Sequence, residues 1–287
     1  MTLNLPELVR GVAEDGPIFS TPGGALFNED CIDFLERVTD ASVDTVFADP
    51  PFNLGKVYGP HVDDELTPSQ YLEWSEEWLD HCVRVLKPGG SLFVYNLPRW
   101  NMLFGAHLMK RGLEFRHWIA ISMKAGLPIA RKLYPAHYSL LYFSNGRPDT
   151  FNRIRTPIEI CRHCGGEIKD YGGHRAAMNP DGVNLTDVWT DIPPVRHRKF
   201  KSKKRSANQL STKLLERVIH LSTVDGDIVL DPFGGSGTTF DVAEKHGRHW
   251  LGSEIENCDA IIERLETEDL HQHSNDDWVE QAGPVAA

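Results

Sequence analysis

The stretch DIVLDPFGGSGTTF, residues 227–240, decides how the chain is read. Ile228-Val229-Leu230 has the pattern of a short buried strand, and it runs into Asp231, a proline and a glycine cluster that opens a helix-like FDVAEKHG. Glycines in such a turn let the backbone approach a ligand, and the first N–H groups of the helix are free to face it. About 20 residues on, a second strand, HWLGSEI, carries Ser253-Glu254 at its end. An acid at that spacing commonly holds the two hydroxyls of a ribose. The Gly-Lys-Ser/Thr of a phosphate-cradling loop is missing, so a nucleoside cofactor is the expectation.

A second stiff turn lies far upstream in FADPPFNLGK, residues 47–56. Its strand-like VDTVFA (43–48) ends in Asp49, two prolines, an aromatic and an asparagine. The prolines remove competing donors and fix the backbone, so that the Asp49 carboxylate and the Pro50 carbonyl point at one acceptor-hungry group. Pro51 stiffens the same turn, and Phe52 offers a stacking face. In open α/β sheets the ligand crevice lies at the carboxyl ends of the strands, where the winding reverses. If the strands ending at Ala48 and Leu230 are neighbours, the two turns face each other across one cleft. A flat heterocycle bearing an exocyclic amine fits that constellation.

The rest of the chain alternates strand and helix over two blocks. Residues 1–25 read as an irregular lead-in. CIDFLERV (31–38) has helical spacing behind Asn28 or Asp30 as cap, and YLEWSEEWLDHCVRVL (71–86) is amphipathic, with Leu72, Leu79, Val83 and Leu86 on one face. Lys87-Pro-Gly-Gly stops that helix, SLFVYN follows as a strand, and FRHWIAISM and HYSLLYFS are further strands. GPHVDDELTPSQ (59–70) reads as a mobile loop. The pattern fails over residues 149–207, an insertion, and returns with STKLLERVIHLS (211–222) and CDAIIERLE (258–266). Residues 268–287 read as a flexible tail. The expected units are thus a catalytic half, 26–148, and a cofactor half, 208–267, of one doubly wound, Rossmann-like α/β domain.

At this point the chain resembles a known family. Asp49-Pro-Pro-Phe52 looks like the D-P-P-Y/F motif of amino-directed DNA methyltransferases, and Asp231-Pro-Phe-Gly-Gly-Ser-Gly-Thr238 resembles their S-adenosylmethionine motif. The catalytic motif comes first, the permuted order of the β group. Asn28-Glu-Asp30-Cys resembles the segment whose acid approaches the cofactor adenine, RVLKPGGSLFVY resembles the unit after the catalytic motif, and Asn208-Gln209 resembles the entry to the helix before the cofactor strand. The resemblance implies that Asp49, Pro50, Pro51 and Phe52 are catalytic. It implies that Asp30, Asn208, Asp231, Phe233, Gly234, Gly235, Ser236, Gly237, Thr238 and Glu254 bind S-adenosylmethionine. The acceptor would be an exocyclic amine of a base flipped out of double-stranded DNA, and the insertion 149–207 would be the segment that recognises and contacts the DNA. Asp in the first motif position goes mostly with adenine N6; cytosine N4 is the alternative, and a catalytically inactive DNA-binding relative is a more distant one. A homodimer and a cognate restriction endonuclease are the partners such enzymes imply.

Composition agrees with a single large domain. The chain has 287 residues, 40% hydrophobic and 25% charged, with a net charge of −11. The charge is unevenly placed: RHRKFKSKKR (196–205) carries seven basic residues, Arg196, Arg198, Lys199, Lys201, Lys203, Lys204 and Arg205, as candidate phosphate contacts. No apolar run reaches the roughly 18 residues of a membrane span, and the N-terminus lacks a signal-peptide pattern, so a cytoplasmic protein without membrane contact is the expectation. Five cysteines fit a reducing compartment. Cys161-Arg-His-Cys164 has a zinc-knuckle spacing, with His163 and His174 nearby, but no second pair completes four ligands. Zinc and a plain thiol pair both stay open there.

Overall fold

The computed structural model describes residues 3–56, 64–123, 130–131, 133–158, 160, 164, 166–167, 172–173, 177–193 and 209–266. Its helices are α1 (Leu5–Leu8), α2 (Cys31–Arg37), α3 (Pro68–Val85), α4 (Pro98–Lys110), α5 (Thr212–Ser222), α6 (Thr238–Lys245) and α7 (Asp259–Glu266). Its strands are β1 (Phe19–Ser20), β2 (Gly24–Phe27), β3 (Val43–Ala48), β4 (Leu86–Asn96), β5 (Glu114–Ser122), β6 (His137–Ser144), β7 (Arg155–Thr156), β8 (Val183–Asn184), β9 (Val188–Trp189), β10 (Ile228–Asp231) and β11 (His249–Ser253).

Nine strands form one sheet in the order β1-β2-β11-β10-β3-β4-β6-β5-β9. From β2 to β4 all neighbours are parallel, whereas β6 runs antiparallel to both β4 and β5. After β3 the chain winds toward β4, and after β10 it winds toward β11, so the reversal falls between β3 and β10. These two strands pair in parallel, Val229 beside Thr45 and Leu230 beside Val46. The neighbour relation on which the two-turn cleft depended is therefore present.

Each face of the sheet is covered by helices. On one side Phe34, Leu79, Val85, Trp78, Trp100 and Phe104 of α2, α3 and α4 pack on Val46, Leu92 and Leu230. On the other, Leu215, Val218, Phe240 and Ile261 of α5, α6 and α7 pack on Phe47, Phe93 and Val229. Strands buried on both faces read as continuous apolar runs, which is why VDTVFA and IVL carry no alternation. Between α6 and β11 the fit is close: a Cβ on Gly252 would lie 2.1 Å from the Phe240 ring.

Several expectations change. The lead-in is not irregular throughout, because α1 and the β1–β2 hairpin lie within it and β2 pairs with β11. The β4 strand begins at Leu86 rather than at Ser91. A register shift beside Val43 takes up the Lys87-Pro-Gly-Gly segment, and the Lys87 ammonium sits 2.8 Å from both Asp44 oxygens. Helix α3 starts earlier than its apolar repeat suggested, at a capping box in which Thr67 and Gln70 satisfy each other's backbone; such a cap contributes about 1 kcal/mol. Its buried face is Tyr71, Trp78, Leu79, Cys82 and Val85, with Leu72 and Val83 only flanking it. In the polar segment read as mobile, Asp64 is buried and Leu66 and Thr67 are hydrogen-bonded; residues 59–63 lie outside the described residues. Of the insertion, β7 and β8 form a small ladder and β9 returns to the main sheet beside β5.

Candidate active site

Five strand ends meet at the carboxyl edge of the sheet: Asn28 after β2, Glu254 after β11, Asp231 closing β10, Asp49 after β3 and Asn96 closing β4. The glycine turn is built on Asp231. Its carboxylate accepts the Phe233 N–H (2.9 Å) and the Thr239 hydroxyl (2.6 Å), tying the strand end to the first turn of α6. Asp231 is 2% exposed, and burial raises its pKa to about 7 against the pull of those two bonds. Gly237 caps α6 in the left-handed region, φ 73°, where a side chain would also strike Ile261. The Gly234 N–H reaches back to the Ser253 carbonyl (2.8 Å), and Phe233 sets its ring edge-on to Trp74 and Trp78.

Glu254 closes this side. One of its oxygens takes the Gly235 N–H (2.6 Å) and the other the Glu256 N–H (2.9 Å), and burial raises its pKa. The Asn28 amide donates to the carbonyls of Glu254 (2.6 Å) and Glu256 (3.1 Å), so β2 braces the same turn. The Ile255 N–H is a third backbone donor to this carboxylate. Of its roughly four acceptor positions one stays open for a ribose hydroxyl, which fits a nucleoside cofactor. Asp30 caps α2 through the Ile32 N–H (2.8 Å). Ser236 and Thr238 are buried within the turn, their hydroxyls 3.2 Å apart.

The D-P-P-F turn is held by its carbonyls. The Tyr71 hydroxyl donates to Pro51 O (2.5 Å) and itself receives the Asn96 amide (3.0 Å). Trp100 Nε1 donates to Phe52 O (3.0 Å) and Arg99 to Asn53 O (3.1 Å). No described residue donates to the Pro50 carbonyl or to the Asp49 carboxylate. Desolvation pushes Asp49 well above the usual carboxylate range, the Asp231 charge adds to the rise, and Lys56 opposes it. Phe52 lies 5.9 Å from both Tyr95 and Tyr138, whose own rings are 5.3 Å apart. Both tyrosine hydroxyls are pushed up, first by burial and then by Asp49. The turn thus carries, beside an aromatic wall, two acceptors to which no described residue donates.

The structure brings together Asp30, Asp49 to Phe52, Asp231 to Thr238 and Glu254. Asn208, the basic run 196–205, Cys161, His163 and His174 lie outside the described residues, and Cys164 is exposed. Sequence reasoning missed Asp64, Tyr71, Tyr95, Asn96, Trp100 and Tyr138. No helix among the described residues is long and apolar enough to cross a membrane.

A doubly wound sheet with a glycine turn and an acid-ended strand beside a D-P-P-F turn defines a Rossmann-like domain of the methyltransferase kind. The sequence matches the family model for N6/N4 enzymes described as DNA methylase over residues 43–263, and the chain belongs to that family. It is 56% identical over 261 residues to the type II methyltransferase M.BamHI of Bacillus amyloliquefaciens, a match covering 91% of this chain and 61% of that relative's length. The fold is shared with PvuII DNA methyltransferase (cytosine-N4-specific), at a TM-score of 0.64 and 20% identity over 89% of this chain and 91% of that one. It is shared also with the M1.HpyAVI-SAM complex, at a TM-score of 0.57 and 19% identity over 85% and 100%.

Proposed function

We propose that the chain moves a methyl group from S-adenosylmethionine to the exocyclic amine of a base flipped out of double-stranded DNA. The observation that carries this reading is the pair of open acceptors, Asp49 carboxylate and Pro50 carbonyl, in a turn whose next three carbonyls are each occupied. An amine conjugated to a base ring is a poor nucleophile. Two acceptors that take both of its hydrogens favour a pyramidal nitrogen with its lone pair turned outward. The raised Asp49 is suited to receive the proton the amine gives up. Phe52, Tyr95 and Tyr138 supply the face on which an unstacked base rests.

S-adenosylmethionine, which the related M1.HpyAVI fold binds in its SAM complex, supplies an electrophilic methyl when bound. Glu254 would hold its ribose, Asp30 its adenine side, and Asp231, Phe233, Gly234, Gly235, Ser236, Gly237 and Thr238 the turn against which it lies; Asn208 belongs to the same assignment. The basic residues of 196–205 would hold DNA phosphates, which makes binding salt-dependent. The type II naming of M.BamHI supports a restriction endonuclease as cognate partner and a cytoplasmic setting, and a homodimer stays part of the proposal.

Adenine N6 is the reading that Asp49 at the first motif position favours. Cytosine N4 is supported by the name of the PvuII enzyme, and either amine satisfies the same two acceptors. Incubation with methyl-labelled S-adenosylmethionine and duplex DNA, followed by nucleoside analysis, decides between N6-methyladenine and N4-methylcytosine. Bound cofactor with no label in DNA would sink both.

A further inference from the structure

Just past the catalytic turn, four consecutive backbone donors are all received by one residue. Asn53 N donates to Asp64 Oδ1 (2.7 Å), and Leu54 N and Lys56 N donate to Oδ2 (3.0 and 2.9 Å). Gly55 N donates to the Asp64 carbonyl (2.8 Å). Asn53 and Gly55 have positive φ, 53° and 66°. Left-handed residues of this sort turn successive N–H groups to one side and make a concave nest for an anion. Here the chain's own carboxylate fills it, and Asp64 is 3% exposed. A second fastening lies alongside. The Asn53 amide donates to Leu66 O and accepts from Leu66 N, both at 2.9 Å, and Thr67 next begins the cap of α3.

We infer that Asp64 is the positioning residue of the catalytic turn: it gathers the N–H groups of residues 53–56 and so fixes where Asp49, Pro50 and Phe52 present their acceptors and ring. Asp64 touches no reacting atom and acts through the backbone. The proposal rests on the methyl-transfer reading of Asp49. Its logic is that prolines stiffen only the first half of the turn, and residues 53–56 need an anchor from elsewhere. The same anchor holds Lys56, the cation whose charge faces Asp49.

Two variants of the full chain test this. Asp64→Ala removes all three carboxylate bonds. Asp64→Asn keeps one oxygen but turns an NH₂ group toward at least one N–H, so its effect is smaller. Amide exchange should show residues 53–56 losing at least about tenfold protection in Asp64→Ala. The kcat for methyl transfer should fall about 100-fold in Asp64→Ala and about 10-fold in Asp64→Asn. Cofactor Kd and the KM for DNA should stay within about threefold, because a displaced turn hurts the chemical step more than binding. Protected amides in Asp64→Ala, or an unchanged kcat once protection is lost, would overturn the proposal. If Asp64→Ala does not fold, Asp64→Asn decides by the same kcat and exchange measurements. A wild-type chain that transfers no methyl would sink the function proposed above instead, and the exchange comparison would still decide whether Asp64 fixes the turn.

Discussion

The turns after β3 and β10 both contain Asp-Pro at the ends of neighbouring parallel strands, yet they use their carboxylates in opposite ways. Asp231 is filled from within, by a backbone N–H and a hydroxyl of its own turn. Asp49 is offered no donor by the described residues, although its surroundings raise its pKa strongly. A buried carboxylate with internal donors shapes the backbone around it. One left open in a cleft costs stability, and such groups persist where a ligand completes them.

The largest effect should come from the open acid. Asp49→Ala should lower methyl transfer by at least about 10³-fold while cofactor affinity stays within a few fold, measured by single-turnover transfer and by titration calorimetry. Substantial residual transfer would erase the contrast between the two turns. Next, Phe52→Ala should lower kcat/KM by about 10- to 100-fold through lost base stacking, worth about 1–3 kcal/mol, with little change in cofactor binding. On the filled side, Thr239→Val leaves one Asp231 oxygen without its donor. It should cost about 1–3 kcal/mol of stability in chemical denaturation, with a weaker cofactor affinity. If Thr239→Val instead impairs only the chemical step, Asp231 belongs with the reacting groups.

The smallest effect is a pH slope. Folding raises the Asp231 pKa to about 7, so the folded chain holds that proton more tightly than the unfolded one. The stability it lends is fully present below the ordinary carboxylate range near 4 and is lost as pH rises through about 7. Asp231→Asn keeps an acceptor for Phe233 N and an amide for the Thr239 hydroxyl, but it does not titrate. Unfolding midpoints of the variant should therefore fall less than those of wild type across this window. Parallel curves would show that Asp231 titrates normally.

The two turns were legible because each is a local event. Strand pattern, proline and glycine announce D-P-P-F and D-P-F-G-G-S-G-T within ten residues, and the sheet then follows from alternation. The anchors were not legible, for a different reason. Tyr71 and Trp100 look like core aromatics of amphipathic helices; nothing local says that their polar atoms seek Pro51 and Phe52 carbonyls. Asp64 sits in a run of acids and polar residues that reads as solvated, and its partners begin 11 residues upstream. The β1–β2 hairpin was hidden because its strands are only two and four residues long, and pairing with each other and with β11, not pattern, makes them strand.

The pairing of β3 with β10 also sets a timetable. Asp44 accepts the Ile228 N–H across 184 residues of chain, and the two acidic turns stand side by side because of that contact. During synthesis the D-P-P-F turn leaves the ribosome long before its neighbour exists. A nascent chain that has not yet exposed β10 has the proposed catalytic turn but not the proposed cofactor turn to face it. On the proposed roles of the two turns, methyl transfer waits until β10 and its glycine turn have been made.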